Sequence, residues 1–112
     1  MSKKNDTESS DEELVQLVRT GQDGDLRAFD VLVLRYQDEI LANCRYITND
    51  PDEAEDLAQE VFLRAYHGLT GFEQRATFRT WLRRIKVNHC LNHLRRKRGK
   101  RFVDIEDPKL SG

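Results

Sequence analysis

Apolar residues recur at three- and four-residue spacing through most of the chain, the periodicity of amphipathic helices. "SDEELVQLVRTG" predicts a short helix. Ser10 caps it, Asp11, Glu12 and Glu13 suit the positive end of its dipole, Gly21 ends it, and Leu14, Leu17 and Val18 form its stripe. A second helix is expected from about Leu26 to Ile47, burying Phe29, Leu32, Val33, Tyr36, Ile40, Cys44 and Ile47. "NDPDEAEDLAQEVFLRAYHGL" carries its own start signal: Asp50 as N-cap, Pro51 in the first turn, and Glu53 placed to close a capping box. Ala54, Leu57, Ala58, Val61, Phe62 and Ala65 make its inward face, and Gly68 is its expected end. "TGFEQRA" reads as a short loop with Phe72 and Arg75 exposed, after which Thr77 or Thr80 starts a fourth helix reaching about Arg98. No segment alternates with period two. The expected fold is all-α, a compact bundle of three long helices plus a short N-terminal one, preceded by a disordered N-terminus over residues 1–10.

The fourth helix holds two kinds of residue. On a wheel of about 100° per residue, Phe78, Trp81, Leu82 and Ile85 gather on one side, and Val87, Cys90, Leu91 and Leu94 nearly opposite. The apolar stripe is therefore expected to change side halfway along. Between the clusters, Arg84, Asn88 and Asn92 stand at i, i+4 and i+8, with Arg95 close in azimuth. Arginine forks and asparagine amides match phosphate oxygens and base edges. Phe72 and Phe78 flank a loop where a stacked-out base would fit, since single strands are held by aromatic rings beside cations.

Charge sharpens this picture. The net charge is only −1. Yet residues 1–74 carry 17 acids against 7 bases, and residues 75–103 carry 11 bases with no acid. Such a division points to two surfaces with different partners, the basic one facing a polyanion. Arg75, Arg79, Arg83, Arg95, Arg96 and Arg98 are its candidate phosphate contacts. No apolar run is long enough to cross a membrane, and "MSKKNDTESSDEE" lacks the apolar centre of a secretion signal. The reading is of a cytoplasmic protein with Cys44 and Cys90 reduced. His89, Cys90 and His93, with Cys44, would be the only metal candidates, but adjacent helical residues point about 100° apart and do not converge as zinc ligands must. No nucleophile–base set or glycine-rich phosphate loop is visible, so an enzyme is not expected and no cofactor is implied. A conventional helix-turn-helix binder of duplex DNA stays open as an alternative, although a longer aromatic loop replaces the tight turn.

The stretch "DPDEAEDLAQEVFLRAYHGLTGFEQRATFRTWLRRIKVNHCLNHLRR" resembles region 2 of bacterial sigma factors of the extracytoplasmic-function (ECF) group, and "GDLRAFDVLVLRYQDEIL" resembles the helix preceding it in that family. The specificity lies in the joint pattern of "AEDLAQEVFLRAY", "TFRTWLRRIKVN" and a basic "LRRKR", within a likeness covering residues 11–99. The resemblance implies a transcription initiation domain over residues 11–101 that binds core RNA polymerase and melts the promoter −10 element by capturing its non-template strand. By position, it implies that Asp56, Gln59 and Glu60 dock on the β′ clamp helices, supported by Phe62 and Arg64. Residues at i, i+3 and i+4 do share one helical side. It further implies that Phe72, Arg75, Ala76, Thr77 and Phe78 enclose a flipped base, that Arg84 and Asn88 contact its neighbours, and that Trp81 lies near the upstream fork. Asn92 stands where the family often has aspartate. An anti-sigma factor is an implied partner. The family's second helical domain, which reads the −35 element, is expected to be absent, with "FVDIEDPKLSG" at residues 102–112 as the start of the linker.

Overall fold

The computed structural model describes residues 9–105 apart from 23, 25 and 74, with residues 100–105 described by backbone alone. Most of the expected N-terminal tail and of the linker thus lies outside the described residues. The helices are α1 (Asp11–Arg19), α2 (Arg27–Thr48), α3 (Pro51–Gly68) and α4 (Phe78–Ile105), with one 3-10 turn, Leu69–Gly71, after α3. The fold is an all-α bundle with no strand among the described residues. α4 runs past the Arg98 expected from the sequence.

Local chemistry sets the boundaries. The Ser10 hydroxyl accepts from the Glu13 N–H at 3.1 Å, and the Glu13 carboxylate accepts from the Ser10 N–H at 2.9 Å, closing a capping box on α1. Gly21 sits at φ 75°, where a side chain would be strained. Its N–H donates to the Val18 carbonyl at 3.2 Å and the Gln22 N–H to that of Leu17 at 3.0 Å, a Schellman closure. α2 and α3 are joined through Asn49, left-handed at φ 55°, and Asp50, whose carboxylate accepts from the Asp52 and Glu53 N–H groups at 3.0 and 3.2 Å. The expected capping box on α3 does not form. Thr48 Oγ1 takes the Asp50 N–H instead, and the Glu53 carboxylate is drawn away to α4, as described below.

α2 packs most extensively on α3, and α1 lies across α2. The core is built from Leu14, Val15, Phe29, Leu32, Ile40, Leu57, Val61, Leu69, Phe78 and Leu82, all buried. The inward stripe of α1 is Leu14 and Val15, with Leu17 and Val18 only packed at its margin. Asp11 ties α1 to α2, pairing with Arg35 at 2.9 Å and accepting from the Tyr36 hydroxyl. Burial, reinforced by that hydrogen bond and the nearby carboxylate, pushes the Tyr36 phenol up to about 12. Cys44 of α2 and Cys90 of α4 are both buried free thiols with sulfurs 3.5 Å apart. Burial, then the contact with Cys90, pushes the Cys44 thiol up to about 12, so Cys44 packs as an unreactive thiol.

Two sequence expectations are corrected. Phe72 is not exposed: its ring is buried and lies 4.7 Å from that of Trp81. Trp81 in turn covers Gly68, where an added Cβ would stand 3.2 Å from the indole. Gly68 has an ordinary helical φ of −85°, so it leaves room for the indole rather than supplying a left-handed stop. The stripe of α4 changes side only in part: of the second cluster Cys90 is buried and Leu94 half-buried, whereas Val87 and Leu91 are exposed.

Leu82 is fully buried whereas Leu63 is 58% exposed. Leu82→Ala is therefore expected to lower the unfolding free energy by about 2–5 kcal/mol, while Leu63→Ala stays within about 0.5 kcal/mol; urea titrations of the two variants check this.

Candidate functional site

The inward stripe of α4 changes its chemistry along its length. Phe78 and Leu82 begin it as core residues, and it continues through Lys86 and His89, 8% and 5% exposed, with Cys90, the next residue, also in the core. A charged or polar group so placed needs a partner. Lys86 donates to Asn43 Oδ1 of α2, and the His89 ring nitrogen pairs with Glu60 of α3. Further along, Lys97 donates to Glu53 at 2.9 Å, and His93 stands 3.4 Å from the same carboxylate. At the other end, Glu39 of α2 accepts from Arg79 at 3.0 Å and from Arg83 at 3.0 and 3.2 Å. The acids of α2 and α3 thus neutralise one set of the helix's cations. Arg83 and then Arg79 hold the Glu39 carboxyl below its usual range despite opposing burial, and Lys97 does the same for Glu53.

The other cations of α4 face away. Arg84, Asn88, Asn92, Arg95 and Arg96 are all exposed. Among the described residues no acid pairs with Arg84, Arg96 or Arg98; Arg95 donates to Asn92 Oδ1 at 3.3 Å. Of the candidate phosphate contacts, Arg79 and Arg83 are thus already engaged. Arg75 pairs with Glu73 at 3.0 Å, but with 86% and 64% of these side chains exposed that pair is weak.

Asn88 and Asn92 line a groove of about 320 Å³ between α3 and α4, together with Arg64, Gly68, Trp81 and Ile85. Arg64, Gly68 and His89 also belong to a neighbouring groove of about 660 Å³ that takes in Leu63, His67 and Arg96. Arg64, assigned by resemblance to the docking residues of α3, therefore stands with the Asn88 face. The loop residues Arg75, Ala76 and Thr77 wall a separate cavity of about 420 Å³, opposite Glu12 and Val15 of α1. Phe72 and Phe78 contribute to that wall, but at 5% and 1% exposure their rings offer no open face for stacking. The expected Phe72–Phe78 sandwich is corrected accordingly: the two rings are packed into the core. Thr77 caps α4, its hydroxyl accepting from the Thr80 N–H at 3.2 Å.

On α3, Asp56, Gln59 and Glu60 are exposed along one strip. Its edges lean to different neighbours: Glu60 to His89, and Gln59 to a shallow groove of about 200 Å³ shared with Val33, Gln37 and Leu41 of α2. Phe62 also borders that groove but is 8% exposed, so it supports the strip from beneath rather than presenting its ring. Glu39, Asn43, Lys86 and His67 escaped the sequence reading, Glu53 was read only as a capping residue, and His89 only as a metal candidate. A signal for part of this existed, since 82, 86, 89, 93 and 97 continue the helical spacing begun by Phe78. Among the described residues no three metal-ligating side chains converge, and no helix is long and apolar enough to cross a membrane.

Comparison with known proteins bears on this geometry. The family model described as Sigma-70 region 2 matches residues 32–100. The RNA polymerase sigma-H factor of Pseudomonas aeruginosa is 46% identical over 100 residues, covering 89% of this chain and 50% of that protein. The ECF RNA polymerase sigma factor SigW of Bacillus subtilis is 39% identical over 74% of this chain and 44% of its own length. The chain thus spans about half, or less, of the length of these curated relatives. An NMR structure of an engineered region 2 of sigmaE in complex with GTAAAA superposes with a TM-score of 0.72 at 34% identity, covering 89% of this chain and 97% of that one.

The Glu53 pairing has a pH signature. Its carboxyl is held below the ordinary glutamate value, near 4.3, by Lys97 first. The contribution to stability is therefore complete above that value and is lost as pH falls through the lower folded-state value. Glu53→Gln is expected to lose less stability than the unsubstituted chain between about pH 6 and pH 3. Urea midpoints across that range are the measurement, and parallel losses would show that the pairing carries no weight.

Proposed function

From this chain's membership in the sigma-70 region 2 family, within the ECF group, and from the two faces of its bundle, we propose that it binds core RNA polymerase through α3 and captures the non-template strand of a promoter −10 element along α4. The observation that carries the reading is the sorting of cations on α4. One set is consumed by acids of the bundle, and what stays free is an exposed Arg84–Asn88–Asn92 face beside an arginine-bearing loop. The sigmaE neighbour, solved with GTAAAA, supplies the same fold with a nucleic-acid partner.

In this reading backbone phosphates supply affinity and base edges supply selectivity. Arg84, Arg96 and Arg98 are the phosphate groups at hand, with Arg75 releasable from Glu73 and Arg95 from Asn92. Asn88, which lines the α3–α4 groove with Trp81, is the reading residue, with Asn92 next along the helix. Arg64 belongs with this face, reaching the strand from α3. The cavity walled by Arg75, Ala76 and Thr77 takes one unstacked base, edge-on to the loop backbone rather than sandwiched between rings. Opening of the duplex follows from preferential capture of the single strand. The β′ clamp helices dock on Asp56 and Gln59, with Glu60 committed in part to His89. The chain acts in the cytoplasm as an initiation factor, not as an enzyme, and an anti-sigma factor would compete for the same faces.

Gln59→Ala is expected to weaken binding to core polymerase at least about fivefold, the roughly 1 kcal/mol that marks a significant contact, with helicity unchanged by circular dichroism. Undiminished retention on immobilised β′ clamp helices would remove Gln59 from the docking face.

The two nucleic-acid roles are expected to fail differently. Asn88→Ala costs about 1–3 kcal/mol for the preferred strand and nothing for strands altered at the base it reads, whereas Arg96→Ala weakens all strands alike and flattens the salt slope. Anisotropy titrations of single-stranded −10 oligonucleotides with polymerase holoenzyme, varied one position at a time, make the comparison. Equal losses for every oligonucleotide with Asn88→Ala would overturn its reading role.

A further inference from the structure

We infer that Glu39 of α2 competes with nucleic-acid phosphate for Arg79 and Arg83, and so sets how strongly the chain binds DNA of any sequence. The inference rests on the α4 reading above. One carboxylate engages two guanidinium groups: Oε1 accepts from Arg79 Nη2 at 3.0 Å and from Arg83 Nη2 at 3.2 Å, while Oε2 accepts from Arg83 Nε at 3.0 Å. Arg83 shares a surface pocket with Thr80, Arg84 and Asn88. The held arginines therefore border the face that meets the strand.

Geometry decides between a fixed brace and a displaceable partner. Lys86 and His89, further along the same helix, are themselves buried, and losing their partners Asn43 and Glu60 would strand polar groups in the core. The Glu39 cluster is different. Its side chains are 27%, 54% and 45% exposed for Glu39, Arg79 and Arg83, the regime in which ion pairs contribute little net stability and exchange readily. A phosphate approaching Arg84 can take either guanidinium from Glu39, but it must displace an existing anion to do so. Fewer counterions are then released, and the affinity is lower than the cation count of α4 suggests.

The test is a salt titration of the whole chain against a labelled single strand containing GTAAAA and a scrambled strand of the same composition. Glu39→Gln removes the charge at nearly constant shape. Releasing one or both arginines is expected to steepen the slope of log K against log salt by about 0.7–1.4, that is about 0.7 for each cation. If binding is equal at 1 M salt, affinity at 0.1 M rises by about 5- to 25-fold for both strands alike. Asp38→Asn, an exposed neighbour with the same change in net charge and no arginine partner among the described residues, controls for general electrostatics. Circular dichroism and a thermal melt confirm that each variant stays folded. An unchanged or shallower slope with Glu39→Gln overturns the inference, as does an equal gain with Asp38→Asn. In either case Arg96→Ala, if it still weakens binding, leaves the α4 reading standing. Indifference to both Arg96→Ala and Glu39→Gln overturns the reading and the inference together.

Discussion

One stripe of α4, from Phe78 to Lys97, satisfies two chemistries, and the arrangement of the molecule follows from how it does so. Its first turns are held by ordinary core packing of Phe78 and Leu82. Its later turns are cationic or polar yet still face inward, which is tolerable only because Asn43, Glu53 and Glu60 project toward them from α2 and α3. Such pairs contribute modestly to net stability but are costly to break from one side. They fix the rotation of α4 about its own axis more than they hold it down. That rotation decides which residues look outward, and so which arginines and asparagines are free.

The acidic and basic halves of the sequence are therefore not two separate surfaces. Each acid near α4 removes a cation from the pool available to a polyanion. Glu60 has a part in both faces, standing on the exposed strip of α3 while its carboxylate reaches His89, the residue after Asn88. A single turn of α3 thus adjoins the proposed docking strip on one side and the groove lined by Asn88 on the other.

Elements set by local chemistry were legible in the sequence. Ser10, Gly21, Asp50 and Pro51 act where they stand, through bonds spanning a few residues. What was not legible depended on distant partners. Phe72 looked exposed because it lies in a loop, yet Trp81 covers it. The burial of Lys86 and His89 was not legible because their partners lie 43 and 29 residues away. Glu53 fitted a capping box by spacing, but the Lys97 ammonium, with His93 beside it, holds its carboxylate in place of the backbone N–H. The Arg84–Asn88–Asn92 face was readable because exposure is the ordinary condition of such residues.

The corner between α2 and α3 has a kinetic consequence. Thr48, Asn49 and Asp50 reverse the chain with their own hydrogen bonds, so the two helices meet across a very short loop and at small entropic cost. The contacts that seat α4 are of another order, spanning 44 residues from Glu39 to Arg83. Short-range pairing is quick to find and long-range pairing slow. In the assembly of this chain, the α2–α3 hairpin is thus the inexpensive, early half, and it already carries Glu39, Asn43, Glu53 and Glu60. The basic helix arrives at a template whose charges are in place, and its azimuth is selected by electrostatic registry as it docks.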